Sequence, residues 1–285
     1  MRALILDDLL SLVSGRDGIF LVNRKDVYVG RAIEIYGEYS GLESAFLKGL
    51  VSAGDNVVEV GANIGAHTVG LAKAVGTQGR VDAFEPQRAC YALLQAQIAL
   101  NQLHNVYAHR QAVGRAAGRL WVPAINYTEF GNFAGTVLSS NRTATSEPVD
   151  VVTLDERMGD HPCSLLKVDV EGMEEDVIRG AAKLIAKRHP LIYVENDRVE
   201  NSRALVARLL GLGYRLWWHI PFYYNPDNFF GIKDNAYPAQ ASFNMFCCRE
   251  NHPAAAGLVE IKSPDDPHPL IPKPLRMGLP YTIKT

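Results

Sequence analysis

Apolar residues in this chain recur in short runs of strand length, separated by longer stretches with helical spacing. The runs at 57–61, 80–84, 105–109, 164–169, 191–195 and 214–219 predict strands. Helices are predicted at 66–76, 87–101, 173–187 and 199–210, and a further strand at 242–248 closes the series. Strands alternating with amphipathic helices predict a mostly parallel sheet covered on both faces, an α/β fold. Ahead of this series, residues 1–42 read as an N-terminal extension with short strands at 19–23 and 26–30. A loop at 36–41 and a helix at 43–51 lead into the core, and Ala53-Gly54-Asp55 is a plausible helix stop. From 114 to 148 the rhythm breaks into turn signals and one alternating strand at 119–125, so a β-rich insertion is expected, as a flap over the site. The core domain thus covers 43–250, and the tail from 251 to 285, with seven of the fifteen prolines, is not expected to form regular helix.

The segment Glu59-Val60-Gly61-Ala62-Asn63-Ile64-Gly65 reads as a strand end, a small-residue turn and a helix start. In an open α/β sheet, this is where a nucleotide-like cofactor sits. Asn63 occupies the place of the second glycine of G-x-G-x-x-G, the one that gives a pyrophosphate room against the backbone. A cofactor without a pyrophosphate is therefore expected, and S-adenosylmethionine fits. Glu85, about 20 residues past the turn at the end of the next strand, is placed to accept hydrogen bonds from ribose hydroxyls, and Pro86 suits the first turn of the helix that follows. Glu59, Gly61, Ala62, Asn63 and Gly65 are assigned to the cofactor's methionine and ribose end, with backbone N–H groups of His67 and Thr68 directed at its carboxylate. Ala112 and Val113 are expected beside adenine, and Tyr36 and Glu38 over the methionine end.

The chain resembles the FkbM family of S-adenosylmethionine-dependent methyltransferases over roughly residues 36–198. The resemblance rests on Glu59–Gly65 with Phe84-Glu85-Pro86, on Val152–Glu156 with Leu165–Glu174, and on Gly180-Ala181-Ala182 with His189–Asn196. The Lys167-x-Asp169-x-Glu171-Gly172-x-Glu174 run is its most specific part. It implies the Rossmann-like class I methyltransferase fold, a seven-stranded sheet with an antiparallel last strand, and O-methylation of a hydroxyl on a glycan or small natural product.

Acceptor chemistry is assigned to the neighbouring strand ends. Asp169 or Glu195 is the expected base for an acceptor hydroxyl, with His219 in reserve beside the aromatic segment Trp217–Tyr224. In a second arrangement, similar by position to catechol O-methyltransferases, Asp169, Glu195 and Asn196 hold a divalent cation. Glu171 with Gly172 can instead cap a helix, and Lys167 is expected to neutralise carboxylates such as Glu59. The rival functions are a nicotinamide-dependent oxidoreductase, which Asn63 disfavours, and a non-catalytic cofactor-binding module.

Composition narrows the partners. Nearly half the residues are hydrophobic, about a fifth are charged, and the net charge is −2, so no broad nucleic-acid footprint is expected. The four cysteines lack C-x-x-C spacing. No run of about 18 apolar residues predicts a membrane span, and no signal peptide is recognised, so a cytoplasmic location is expected.

Overall fold

The computed structural model describes residues 3–270. The chain opens with an antiparallel meander of β1 (Ala3–Ile5), β2 (Leu10–Ser14) and β3 (Ile19–Asn23). Helices α1 (Val29–Tyr36) and α2 (Gly41–Gly49) follow. The strand expected at 26–30 is absent. The Asp26 carboxylate accepts the N–H groups of Tyr28 (3.0 Å) and Gly30 (2.9 Å), which turns the chain into α1.

The core then runs β4 (Asn56–Val60), α3 (Thr68–Val75), β5 (Arg80–Phe84), α4 (Arg88–Leu100) and β6 (Val106–His109). A small sheet of β7 (Ala112–Val113), β8 (Gly118–Val122) and β9 (Glu147–Val152) interrupts it. The pattern resumes with α5 (Leu154–Met158), β10 (Leu165–Val168), α6 (Glu174–Gly180), α7 (Ala182–Arg188), β11 (Leu191–Glu195), α8 (Val199–Gly211), β12 (Arg215–His219) and β13 (Asn244–Cys248). The single helix expected at 173–187 is two, because the Asp155 carboxylate accepts the N–H groups of Lys183 (3.0 Å) and Leu184 (2.9 Å) and caps a separate start for α7.

The main sheet has the order β14-β12-β13-β11-β10-β4-β5-β6, where β14 is Val259–Ile261. β4, β5, β6, β10 and β11 are parallel, and β13 runs antiparallel to both neighbours. This is the Rossmann-like class I methyltransferase arrangement, with one correction. The sheet has eight strands rather than seven, because β14, from the segment assigned to the proline-rich tail, pairs along β12. Further along, buried His268 packs edge-on against Trp218 and its Nε2 donates to the Asn196 carbonyl at 2.7 Å. The remainder of that tail, from residue 271, lies outside the described residues.

The chain leaves β4 towards β5 and β6, then returns to the other side of β4 as β10. That reversal opens a crevice at the carboxyl ends of β4 and β10. Two apolar clusters cover the sheet. Val57, Val81, Tyr193 and Phe246 belong to one, Val58, Val60, Val168 and Val194 to the other. Glu59 and Lys167 are register partners on the first face, an ionic pair inside an otherwise apolar row. The amides of Gln97 on α4 and of Asn101 just after it bond both backbone groups of Leu21 and of Ile19, respectively, at 2.7–2.8 Å, and so cover the edge of β3. Among the described residues, no helix is long and apolar enough to cross a membrane.

Candidate active site

A cavity of about 610 Å³ opens at the crevice. Its floor is the turn after β4. Gly61 sits at φ +85°, and a Cβ there would stand 1.7 Å from the Asp169 carbonyl oxygen, so only glycine lets these two strand ends meet. Asn63 is also left-handed, at φ +51°. Its N–H donates to Glu85 Oε2 at 2.8 Å, while Gln87 N–H donates to Glu85 Oε1 at 2.8 Å. Each oxygen keeps a lone pair for a ligand hydroxyl. Burial pushes the Glu85 carboxyl up to about 7, against the lowering effect of those two N–H bonds.

Glu59 and Lys167 lie deeper. Glu59 Oε2 accepts the Thr68 hydroxyl at 2.6 Å, and its Oε1 stands 3.7 Å from Lys167 Nζ with no hydrogen-bond partner. Lys167 also lies 3.3 Å from Asp169. Burial opposes the Lys167 charge, but Asp169, Glu59 and Glu43 outweigh it and hold the ammonium above its usual range. His67 lines the same wall, with Nε2 3.8 Å from Glu43 and Nδ1 unpartnered. Burial, with Lys167, lowers it to about 4, so it is neutral at pH 7. Glu43 is fixed by Ser40 (2.9 Å), Ser242 (3.3 Å) and Asn244 (3.3 Å), and burial raises it to about 7.

The opposite wall is acidic. Asp169, Glu171 and Glu195 each bring a carboxylate oxygen within 4.8 Å of the others. Burial and the neighbouring Asp169, Asp197 and Glu171 raise Glu195 well above the usual carboxylate range. Glu171 is raised to about 7, chiefly by burial, although Arg198 pairs with it. Glu171 does not cap the helix after β10. Glu174, the first residue of that helix, instead reaches back to accept the N–H groups of Val170 (3.2 Å) and Gly172 (3.0 Å) in the preceding turn.

Of the residues assigned from the sequence, Glu59, Gly61, Ala62, Asn63, His67, Glu85, Asp169 and Glu195 line the cavity. Pro86, Ala112 and Val113 line an adjoining recess of about 50 Å³ with Leu138 and Met173. The others are elsewhere. Tyr36 is buried among Tyr224 and Tyr237, its hydroxyl donating to Asp234 O at 3.0 Å. Glu38 pairs with Arg16 and accepts from Asn225 at 2.8 Å, which ties the loop before α2 to the segment after β12. Gly65 supplies turn geometry at φ +86° against Leu94, and Thr68 reaches Glu59 rather than the cavity. His219 stacks on Phe46 at 4.0 Å and shares a 2.8 Å hydrogen bond with the Tyr193 hydroxyl, so it stands away from the cavity wall. Asn196 does not line the cavity. Its amide donates to Ser202 Oγ (2.9 Å) and Met245 Sδ (3.3 Å).

The sequence reading missed Glu43, Asp197, Arg198 and Asn132 in the cavity wall. Asp197-Arg198 continues the polar run after β11 and was visible there; Glu43 sits in an ordinary amphipathic helix and carries no such signal. Asn132, Ala134 and Gly135 come from the segment between β8 and β9, pinned by Gln87 Nε2 donating to Phe133 O at 3.0 Å.

Residues 59–216 match the family described as "Methyltransferase FkbM domain". A curated relative, "Methyltransferase 1" of Beauveria bassiana (strain ARSEF 2860), is 30% identical over 146 residues, which is 44% of this chain and 57% of that protein. The chain therefore spans little more than half of that relative's length. Among solved structures, an FkbM methyltransferase from Methylobacillus flagellatus KT aligns with a TM-score of 0.43 and 18% identity over 70% of this chain and 45% of that one. An O-methyltransferase from Bacillus cereus, in complex with SAH, aligns with a TM-score of 0.46 and 12% identity over 73% of this chain and 80% of that one. The family match takes in the Gly61 turn, Glu85, Lys167, Asp169, Glu171 and Glu195, all of which line the cavity: the chain belongs to the FkbM methyltransferase family.

Proposed function

We propose that the protein is an S-adenosylmethionine-dependent methyltransferase acting on a hydroxyl of a glycan or small metabolite. One observation carries the reading. Glu85 faces the cavity from the end of β5, and the turn's Asn63 N–H is committed to it rather than free for a phosphate. The residues present suit the cofactor. Glu85 offers two oxygens to ribose hydroxyls, and the orphaned Glu59 Oε1 offers an acceptor to the methionine ammonium. The recess beside Ala112 and Val113 suits the flat face of adenine.

The bound sulfonium supplies an electrophilic methyl with a good leaving group. The chain's task is to bring the acceptor oxygen into line and take its proton. Asp169 is the group placed for this. Its side chain is 36% exposed, whereas Glu195 is buried and its carboxyl is raised well above the usual carboxylate range by burial and by Asp169, Asp197 and Glu171. Lys167, 3.3 Å away, orients the Asp169 carboxylate. The acidic wall supports a neutral or cationic acceptor and disfavours a nucleic-acid backbone. Seven carboxylates face the cavity (Glu43, Glu59, Glu85, Asp169, Glu171, Glu195 and Asp197) against Lys167 and Arg198.

Calorimetry with S-adenosylhomocysteine and with NAD tests the cofactor. Saturable binding of the first alone is expected, and binding of NAD alone would defeat the proposal. Asp169→Asn should slow methyl transfer from labelled cofactor by roughly tenfold or more, the scale of a lost general base. An unchanged rate removes Asp169 from the mechanism.

A further inference from the structure

We propose that Asp169, Glu171 and Glu195 form a binding site for one divalent cation of the Mg²⁺ or Mn²⁺ type, at the acceptor side of the cavity. The three ligand oxygens lie within 4.8 Å of one another, a spread that a single hard cation can bridge with water completing its shell. They come from two adjacent parallel strands. β10 ends just before Asp169, β11 ends on Glu195, and Glu171 is thrown back towards both by left-handed backbone at φ +56° followed by Gly172 at φ +104°.

A second observation is independent of that spacing. Glu195 Oε2 is out of solvent and has no hydrogen-bond donor among the described residues. A buried carboxylate oxygen without a donor is costly and rare in folded proteins, and its usual explanation is an ion or a water. The local cations do not serve it. Arg198 is engaged with Glu171 and lies 3.5 Å from Asp197, and Lys167 is shared between Asp169 and Glu59. Four carboxyl groups (Asp169, Glu171, Glu195 and Asp197) thus face two cations that are already engaged. Glu171 lines the cavity at this cluster, whereas Asn196, assigned to such a site from the sequence, does not line it.

A cation here would polarise an acceptor hydroxyl and ease removal of its proton, which extends the proposed methyl transfer and rests on it only for that role. Binding itself is tested without turnover. Mn²⁺ is titrated into the full chain and free Mn²⁺ is followed by electron paramagnetic resonance, while S-adenosylhomocysteine binding is measured on the same samples. One saturable Mn²⁺ site is expected. Glu195→Gln and, separately, Glu171→Gln should weaken it by more than the roughly tenfold lost with an outer-shell partner, with a cooperative melting transition retained. Saturable S-adenosylhomocysteine binding with no saturable Mn²⁺ binding overturns the cation site and leaves the methyltransferase reading intact. Mn²⁺ binding without S-adenosylhomocysteine binding does the reverse. Equal Mn²⁺ affinity in the folded variants and the parent chain also overturns the site.

Discussion

Glu85→Ala should weaken S-adenosylhomocysteine binding by about 1.5–3 kcal/mol, the scale of a lost charged hydrogen bond, which is roughly tenfold to somewhat over a hundredfold in Kd. The loss has two sources. The ribose loses its acceptor, and the N–H groups of Asn63 and Gln87 lose the carboxylate that shapes the turn. The same residue predicts a pH dependence. A hydroxyl donates to a carboxylate, and burial raises Glu85 to about 7, so affinity should rise as pH climbs through about 7 and level off above it. Glu43 is raised to a similar value in the same cavity, so the comparison is between the parent and Glu85→Gln, which keeps the shape and removes this charge. The stability effect has the opposite sign. The folded carboxyl holds a proton that the unfolded chain, near the ordinary 4.5, has released, so the contribution of Glu85 is full below about 4.5 and is lost as pH rises to about 7. Identical pH profiles for the parent and Glu85→Gln, in calorimetry from pH 5.5 to about 8.5, would exclude Glu85 from the ribose contact.

Gly61→Ala should have the largest effect of any single methyl group in the cavity. The added Cβ meets the Asp169 carbonyl oxygen at 1.7 Å, in backbone that is itself left-handed, so the β4 turn and the end of β10 must separate. A loss of more than about 4 kcal/mol is expected, in the range of severe backbone and core lesions, together with loss of cofactor binding. Gly54→Ala is the control. Gly54 is left-handed too, at φ +91°, but a Cβ there meets nothing within 4 Å, so only the conformational term of about 1–2 kcal/mol remains. Urea denaturation of the two variants separates contact from strain. Equal losses would mean that the meeting of Gly61 and Asp169 is not what demands glycine.

The β4–β5 side of the cavity was legible in the chain because its residues are local. Gly61, Asn63 and Glu85 lie within one βαβ unit, where spacing along the chain translates directly into position at a strand end. The acceptor half was less legible. Asp169 and Glu195 could be placed by strand alternation, but the third member of the cluster is Glu171, which a left-handed turn after β10 directs towards them. Tyr36 and Glu38 were assigned to the methionine end by their place just before the core. Their side chains instead tie α1 and its following loop to the segment after β12, nearly two hundred residues away. Glu43 shows the reverse case, an ordinary helical glutamate brought into the cavity wall by the way α2 packs.

Apolar periodicity and turn chemistry in the amino-acid order alone determined the α/β alternation, the parallel core and the glycine turn at the end of β4, since these depend on interactions between residues close in the chain. Only the tertiary structure decided the eighth strand, the split of the helix after β10, and which carboxylates share one cavity. Each of these depends on side chains far apart in sequence satisfying one another: Asp155 with the start of α7, β14 along β12, and Glu195 facing Asp169 and Glu171 across two strand ends.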